Sequence, residues 1–287
     1  MVSWSERAQA DDKLVALAVD KLLEFRRRYP DASVGQVTEM MQVLSQQYGR
    51  VTAATAYQAL RTSRELWDLW GLLPEPIPAE AAPPEQVAAA TAWALQTKSG
   101  RELTGQEITN RLAGVLTRTV RQPGRETVFE ATRSAKTRWA RIPGPHACQF
   151  CLMLASRGAV YESRYSASTT SGTRGTRPAG LRFHDRCTCH IVESYTDADL
   201  PGVTKALNAE WYEVTWDENG PVADQAGVWR EHIEATRPES TTLRPAEATK
   251  SATAAPPASR SGRVTKPDGL RVAAAVRASG ADGDRAS

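Results

Sequence analysis

The sequence predicts a mainly α fold: a helical N-terminal half, a small α+β module stapled by cysteines, and a disordered C-terminal tail. Three observations carry that expectation. Apolar residues recur at three- and four-residue steps through much of the first 140 positions. All four cysteines of the 287-residue chain lie between positions 148 and 189. From about Glu239 the composition turns to Ala, Pro, Ser, Thr, Gly and Arg, with little to bury. At 41% hydrophobic and 24% charged residues, the chain is ordinary for a globular protein with a substantial core. Its start, MVSWSERAQADDK, is charged and lacks the apolar stretch of a secretory leader. The longest apolar run, VAAATAWAL, is too short to cross a bilayer. A soluble, cytoplasmic starting state without membrane contact is expected.

Residues 1–73 read as an N-terminal helical region. Val15, Ala18, Val19 and Leu22 form one stripe, which ends around Pro30. Ser33 and Gln36 make a capping box ahead of Val37, Met40, Met41, Leu44 and Tyr48. A separate helix is expected from about Thr52 to Trp70. These stripes are core-forming and carry no chemistry of their own. Residues 74–85, PEPIPAEAAPPE, read as a semi-rigid connector, because repeated prolines remove backbone donors and favour extended chain.

Helices resume over residues 86–141. Thr104 and Glu107 form a second capping box, before Ile108, Leu112, Val115 and Leu116. Pro123 and Gly124 predict a break, followed by a last helix over about Glu126 to Trp139. The cysteine module is placed at 142–200, two closing helices within 201–238, and the tail at 239–287.

The net charge of +3 hides an uneven distribution: residues 101–190 carry +9, and residues 191–240 carry −8. The basic block suits a nucleic-acid backbone or an acidic protein surface. It equally suits internal pairing with the acidic segment. Arg118, Arg121 and Arg125 fall at helical steps, but the predicted break separates them. Arg133, Lys136 and Arg141 are therefore the group expected to touch a partner or DNA.

The cysteines carry the sharpest chemistry. Cys148 and Cys151 stand in HACQFC, Cys187 and Cys189 in FHDRCTC, which also holds His184. In C-x-x-C spacing, one turn brings two thiolates to the same side of a metal ion, and zinc needs four such donors at tetrahedral corners. The second segment, 32 residues beyond Cys151, supplies them: Cys187 with Cys189, or His184 with one of them. Five candidate ligands, Cys148, Cys151, His184, Cys187 and Cys189, predict one closed structural zinc site per chain rather than an open catalytic one. Arg157, Arg182 and Arg186 are close enough in sequence to offset the thiolate charge. No βαβ pattern surrounds the C-x-x-C, which argues against a thioredoxin-type redox motif.

RIPGPHACQFCLMLASRGAVY followed by FHDRCTCHIV resembles the Mu F-like minor head proteins of tailed bacteriophages, particularly the actinobacteriophage type. The resemblance covers roughly residues 125–195. It rests on the Cys148–Cys151 pair, the Gly158 to Tyr161 turn, and the His184, Cys187, Cys189 signature. Asp185, Arg186 and Thr188 depart from the commoner HPNCRC form. The resemblance implies a Mu F-like zinc module in a minor capsid protein that acts in head morphogenesis. It further implies association with the portal and capsid interior, effects on DNA packaging or ejection, and residence in the virion after assembly in the host cytoplasm. Two enzymatic alternatives stand beside it, a protease from the same context and a nuclease from the basic zone. A capsid maturation protease would need a nucleophile and base, for which Ser156, His146 and His232 are the nearest candidates, without a supporting G-x-S-x-G elbow. A zinc-containing nuclease would need an open, oxygen- or histidine-rich site, unlike this sulfur-rich one.

Overall fold

The computed structural model describes residues 3–97, 102–144, 147–159, 185, 187–196 and 199–238. The tail from 239, together with His146, Tyr161, Arg182, His184 and Arg186, lies outside the described residues.

Four helices build the body: α1 (Trp4–Arg28), α2 (Val34–Leu66), α3 (Pro84–Leu95) and α4 (Gly105–Ala135). Ser3, Ser33 and Thr104 each close a reciprocal capping box with Glu6, Gln36 and Glu107, so three of the four starts are fixed by local sequence. The stripes converge as predicted: Val15, Ala18 and Leu22 of α1 pack with Val37, Met41 and Leu44 of α2 and with Leu112, Val115, Leu116 and Val120 of α4. Each of these Val, Leu and Met side chains, fully buried, stabilises the fold by roughly 1.5–3 kcal/mol against exposure.

Two predicted breaks do not exist. The stretches expected as separate helices around 34–48 and 52–70 are the single helix α2, and α4 runs uninterrupted through Pro123 and Gly124. Tertiary packing outweighs the local penalty. A Cβ on Gly124 would meet the Thr52 carbonyl oxygen at 2.8 Å, and one on Gly49 would meet the Pro123 ring at 3.1 Å, so α2 and α4 cross almost backbone to backbone here. Thr52 Oγ1 donates to the Val120 carbonyl at 2.7 Å, returning a hydrogen bond to the stretch that the proline disturbs.

The helix expected to reach Trp139 also stops early. α4 ends at Ala135 with Lys136 in the left-handed region (φ 54°), and Thr137 N–H reaches back to the Thr132 carbonyl. The chain then turns into β1 (Arg138–Ile142), which pairs antiparallel with β2 (His190–Ser194) in the register Trp139 to Glu193 and Arg141 to Ile191. Alternation places Trp139, Arg141, Ile191 and Glu193 on one face, and Ala140 and Val192 on the other. On the first face Trp139 meets Phe129 of α4 edge-to-face at 4.7 Å. On the second, Ala140 and Val192 pack with Ala159 and Leu200.

Between the two strands lies α5 (Gln149–Ala155); after them come α6 (Gly202–Thr215), a two-residue hairpin of β3 (Trp216–Asp217) with β4 (Gly220–Pro221), and α7 (Gln225–Thr236). Trp229 and Ile233 of α7 and Leu207 of α6 share one apolar cluster with α5, Trp139 and Leu60 of α2. The module is thus welded to the body rather than tethered to it.

Candidate metal centre

Cys148 is the N-cap of α5, in extended backbone, and Cys151 lies one turn inside. Cys187 and Cys189 stand immediately before β2. All four are buried. The sulfurs of Cys151, Cys187 and Cys189 lie within 4.8 Å of one another, and the Cys151 and Cys187 sulfurs are 3.7 Å apart. A zinc–sulfur bond of about 2.3 Å in a tetrahedron sets a sulfur–sulfur edge of about 3.8 Å, so the donor spacing fits the ion. Cys148, at the start of α5, is not one of these three. Segments more than 30 residues apart are thereby joined, as C-x-x-C and C-x-C spacing predicted, and this cluster can hold a metal ion. His184, the fifth predicted ligand, lies outside the described residues.

The thiols are perturbed by one another and by burial. Hydrogen bonding with Cys148, then with Cys187 and Cys189, and burial hold the Cys151 thiol well above its ordinary range. For Cys189 the bond with Cys151 lowers the value, but Cys187 and burial outweigh it and push the thiol up to about 12. Packed together, the sulfurs resist ionising as a group. A divalent cation at their centre would reverse that balance and release protons on binding.

Arginines of α4 and β1 lie beside the cluster, while Arg182 and Arg186, which the sequence suggested, lie outside the described residues. Because α4 is unbroken, Arg118, Arg121 and Arg125 line one face, and that face points inward. Arg118 Nε donates to Asp185 Oδ1 at 2.7 Å. Arg121 pairs with Asp12 of α1 and lies 3.1 Å from His190 Nε2. Arg125 donates to the Cys187 carbonyl at 2.8 Å and to the Cys189 carbonyl at 2.7 Å. Burial draws Arg125 down to about 10, so it stays charged at neutral pH. From β1, Arg141 Nη1 approaches Cys151 Sγ at 3.9 Å.

That position corrects one expectation. Arg141, expected to touch a partner or DNA, is 2% exposed, on the strand face turned towards the cysteines. Arg133 and Lys136 are exposed at the end of α4, where Arg133 pairs with Glu130. Arg125 and Arg141, which contact the site, were hidden in the sequence by the apparent Pro-Gly break and by reading Arg141 as helical. The helical step of Arg118, Arg121 and Arg125 beside a +9 block was the available signal.

Of the groups named for serine chemistry, His146 lies outside the described residues, and Ser156 and His232 have other partners. Ser156 is fully buried and its hydroxyl donates to the Met153 carbonyl at 2.8 Å. His232 lies 2.7 Å from Glu210, which also takes two bonds from Arg237. No helix among the described residues is long and apolar enough to cross a membrane.

Fold and site together define a helical protein carrying a thiol-stapled two-stranded module. The family described as VG15 protein matches residues 2–219, and the chain belongs to that family of phage gene products. Neither a curated protein nor a solved structure matches the chain.

Proposed function

We propose that this chain is a minor head protein of the Mu F-like type, associated with the portal and capsid interior and acting in procapsid assembly and in DNA packaging or ejection. One observation carries the reading: the C-x-x-C and C-x-C segments, whose pattern resembles that of minor head proteins, come together as a buried sulfur cluster held against the helical body of a phage protein. In this reading the cluster binds one structural zinc per chain. A closed thiolate site holds distant segments together without leaving a position for substrate. Such a module suits a part that must survive assembly and packing inside a head.

The exposed cations at the end of α4, Arg133 and Lys136, are the surface offered to DNA or to an acidic face of the portal. Their charge acts at the protein surface, so contacts through them weaken steeply with salt. The test is a phage carrying Arg133→Glu and Lys136→Glu. The purified variant should fold and keep its metal, while incorporation into procapsids or delivery of DNA falls. Cryo-EM of wild-type procapsids should show the chain at the portal vertex. A normal burst of infectious particles from the charge-reversed phage, or procapsids lacking the chain, would refute the proposal.

A further inference from the structure

We infer that residues 66–77, the turn that closes α2 and the chain leaving it, form a docking surface for a protein of the head that presents an apolar face bordered by Lys or Arg. The inference rests on the reading of the chain as a head component. It adds a contact separate from Arg133 and Lys136.

The first observation is what this stretch exposes. Leu66, Trp67, Leu72 and Ile77 are 69%, 44%, 66% and 79% exposed, and Leu69, Trp70 and Leu73 between them are only partly buried. Isolated apolar side chains on a surface are ordinary. Seven large ones within twelve residues mark an interface, and tryptophan is a preferred anchor in one.

The second observation is how the stretch is held. The Leu69 and Trp70 amides donate to the Arg64 carbonyl at 2.7 and 3.2 Å, and Arg64 Nη1 donates to the Pro74 carbonyl at 2.6 Å. The Tyr57 hydroxyl donates to Glu75 at 3.0 Å, and the Arg61 guanidinium lies 5.3 Å from the centre of the Trp70 ring. Trp67 meets Tyr195, just past β2, with ring centres 5.9 Å apart. Pro74, Pro76 and Pro78 stiffen the exit. Polar groups thus fix the frame while apolar ones face outward, the reverse of an ordinary solvated loop. A frame fixed in advance lowers the ordering cost of binding.

Charge names the partner. From Glu65 to Glu80 the chain carries four carboxylates and no Lys or Arg. Arg61 pairs with Glu65, whereas Asp68, Glu75 and Glu80 form no ion pair among the described residues. Such a rim repels a phosphate backbone. Two copies meeting through the same stretch would bring like charges together. An apolar protein face bordered by cations complements both the side chains and the charge.

The experiment uses phage carrying the full chain, with copies per procapsid counted by mass spectrometry. Leu72→Ser with Ile77→Ser should lower incorporation about tenfold or more. The purified double variant should melt with wild type, because both side chains are exposed. Val43→Ser with Val51→Ser, at positions 52% and 42% exposed on the middle of α2, should incorporate normally. In a second arm, p-benzoylphenylalanine in place of Leu72 is photo-crosslinked inside procapsids. The adduct should be another head protein, joined through a peptide in which Lys or Arg flank apolar residues. If the double variant fails to fold, the adduct decides. An adduct with DNA, with a second copy, with residues 239–287 of the same chain, with a peptide lacking cations, or with nothing would overturn the inference and leave the head reading in place. So would normal incorporation of a folded Leu72→Ser, Ile77→Ser chain. Wild-type procapsids without the chain would overturn both.

Discussion

Arg64 of α2 and Glu193 of β2 form a two-bonded ion pair, Nε to Oε2 at 2.8 Å and Nη2 to Oε1 at 2.9 Å, with side chains 1% and 0% exposed. It joins the helical body to the sheet of the cysteine module across 129 residues of sequence. Tyr195 and Thr137 add hydroxyl donors to the same carboxylate. Burying one partner without the other leaves an uncompensated charge, so Arg64→Met should cost about 3–5 kcal/mol. That is a large share of the roughly 5–15 kcal/mol by which such a domain is stable. Urea unfolding followed by tryptophan fluorescence measures it; a loss below 1 kcal/mol would show that solvent reaches the carboxylate.

The crossing of α2 and α4 makes the second prediction. At Gly124 a methyl group would press on the Thr52 carbonyl at 2.8 Å and on Arg7 Nη2 at 3.1 Å. Gly124→Ala should therefore destabilise by about 1–3 kcal/mol, as overpacking does, despite the better helix propensity of alanine. Gly105→Ala, with nothing within 4 Å of the new atom, is the control and should be neutral or mildly stabilising. Equal melting temperatures for the two variants would contradict the close crossing.

This crossing also explains what was and was not legible beforehand. Capping boxes and apolar stripes act within one turn, so the starts of α2 and α4 could be read from Ser33 and Thr104, and the buried faces of α1, α2 and α4 from their stripes; the Ser3 box that starts α1 was missed. The continuity of α4 could not. Pro123 and Gly124 are locally a helix stop, and only the neighbouring Gly49 and Thr52 turn them into a packing device. The cysteine spacing revealed the metal-competent cluster because ligand chemistry is demanding enough to constrain sequence. Its arginine surround was obscured, since a buried guanidinium and a solvated one look alike in composition. Arg141 shows the difference: five positions after the left-handed Lys136, and within β1, strand alternation rather than helical phase decides which way it points.

Protonation gives a third prediction. Glu210 on α6 is bonded by Arg237 and faces His232 of α7. Partial burial pulls its value up, but the bonds from Arg237 and His232 outweigh that and hold it below the ordinary carboxylate range. A depressed folded-state value means stabilisation that is fully present above the unfolded value and is lost as pH falls through the folded one. The α6–α7 pairing should therefore weaken on acidification below about pH 4, the ordinary carboxylate range. Glu210→Gln should lower the melting temperature at neutral pH and narrow its gap to wild type as the pH drops. A constant gap across the titration would rule Glu210 out as the source.

Metal removal gives the last prediction. If zinc sits among the sulfurs, it ties α5 to the entry of β2, and through Arg125 it ties both to α4. Thiolate ligation of this kind contributes folding free energy on the order of several kcal/mol or more. Its loss should be felt locally, because the body has its own core: Val15, Leu22, Met41, Leu112 and Val115 pack without any contribution from the module. Chelation under reducing conditions should raise amide exchange in residues 147–159 and 187–194, with a smaller rise along β1 where Trp139 and Arg141 pair with β2. The amides of α1, α3 and the first half of α2 should keep their protection. Cys151→Ser should reproduce the pattern without a chelator, since Cys151 is the α5 sulfur of the three-thiol cluster. Re-addition of zinc should restore protection in the chelated wild type and not in the variant. Exchange that rises evenly along the whole chain would mean that body and module unfold as one unit. Exchange that does not change at all would mean that the buried thiols hold the module together without a metal.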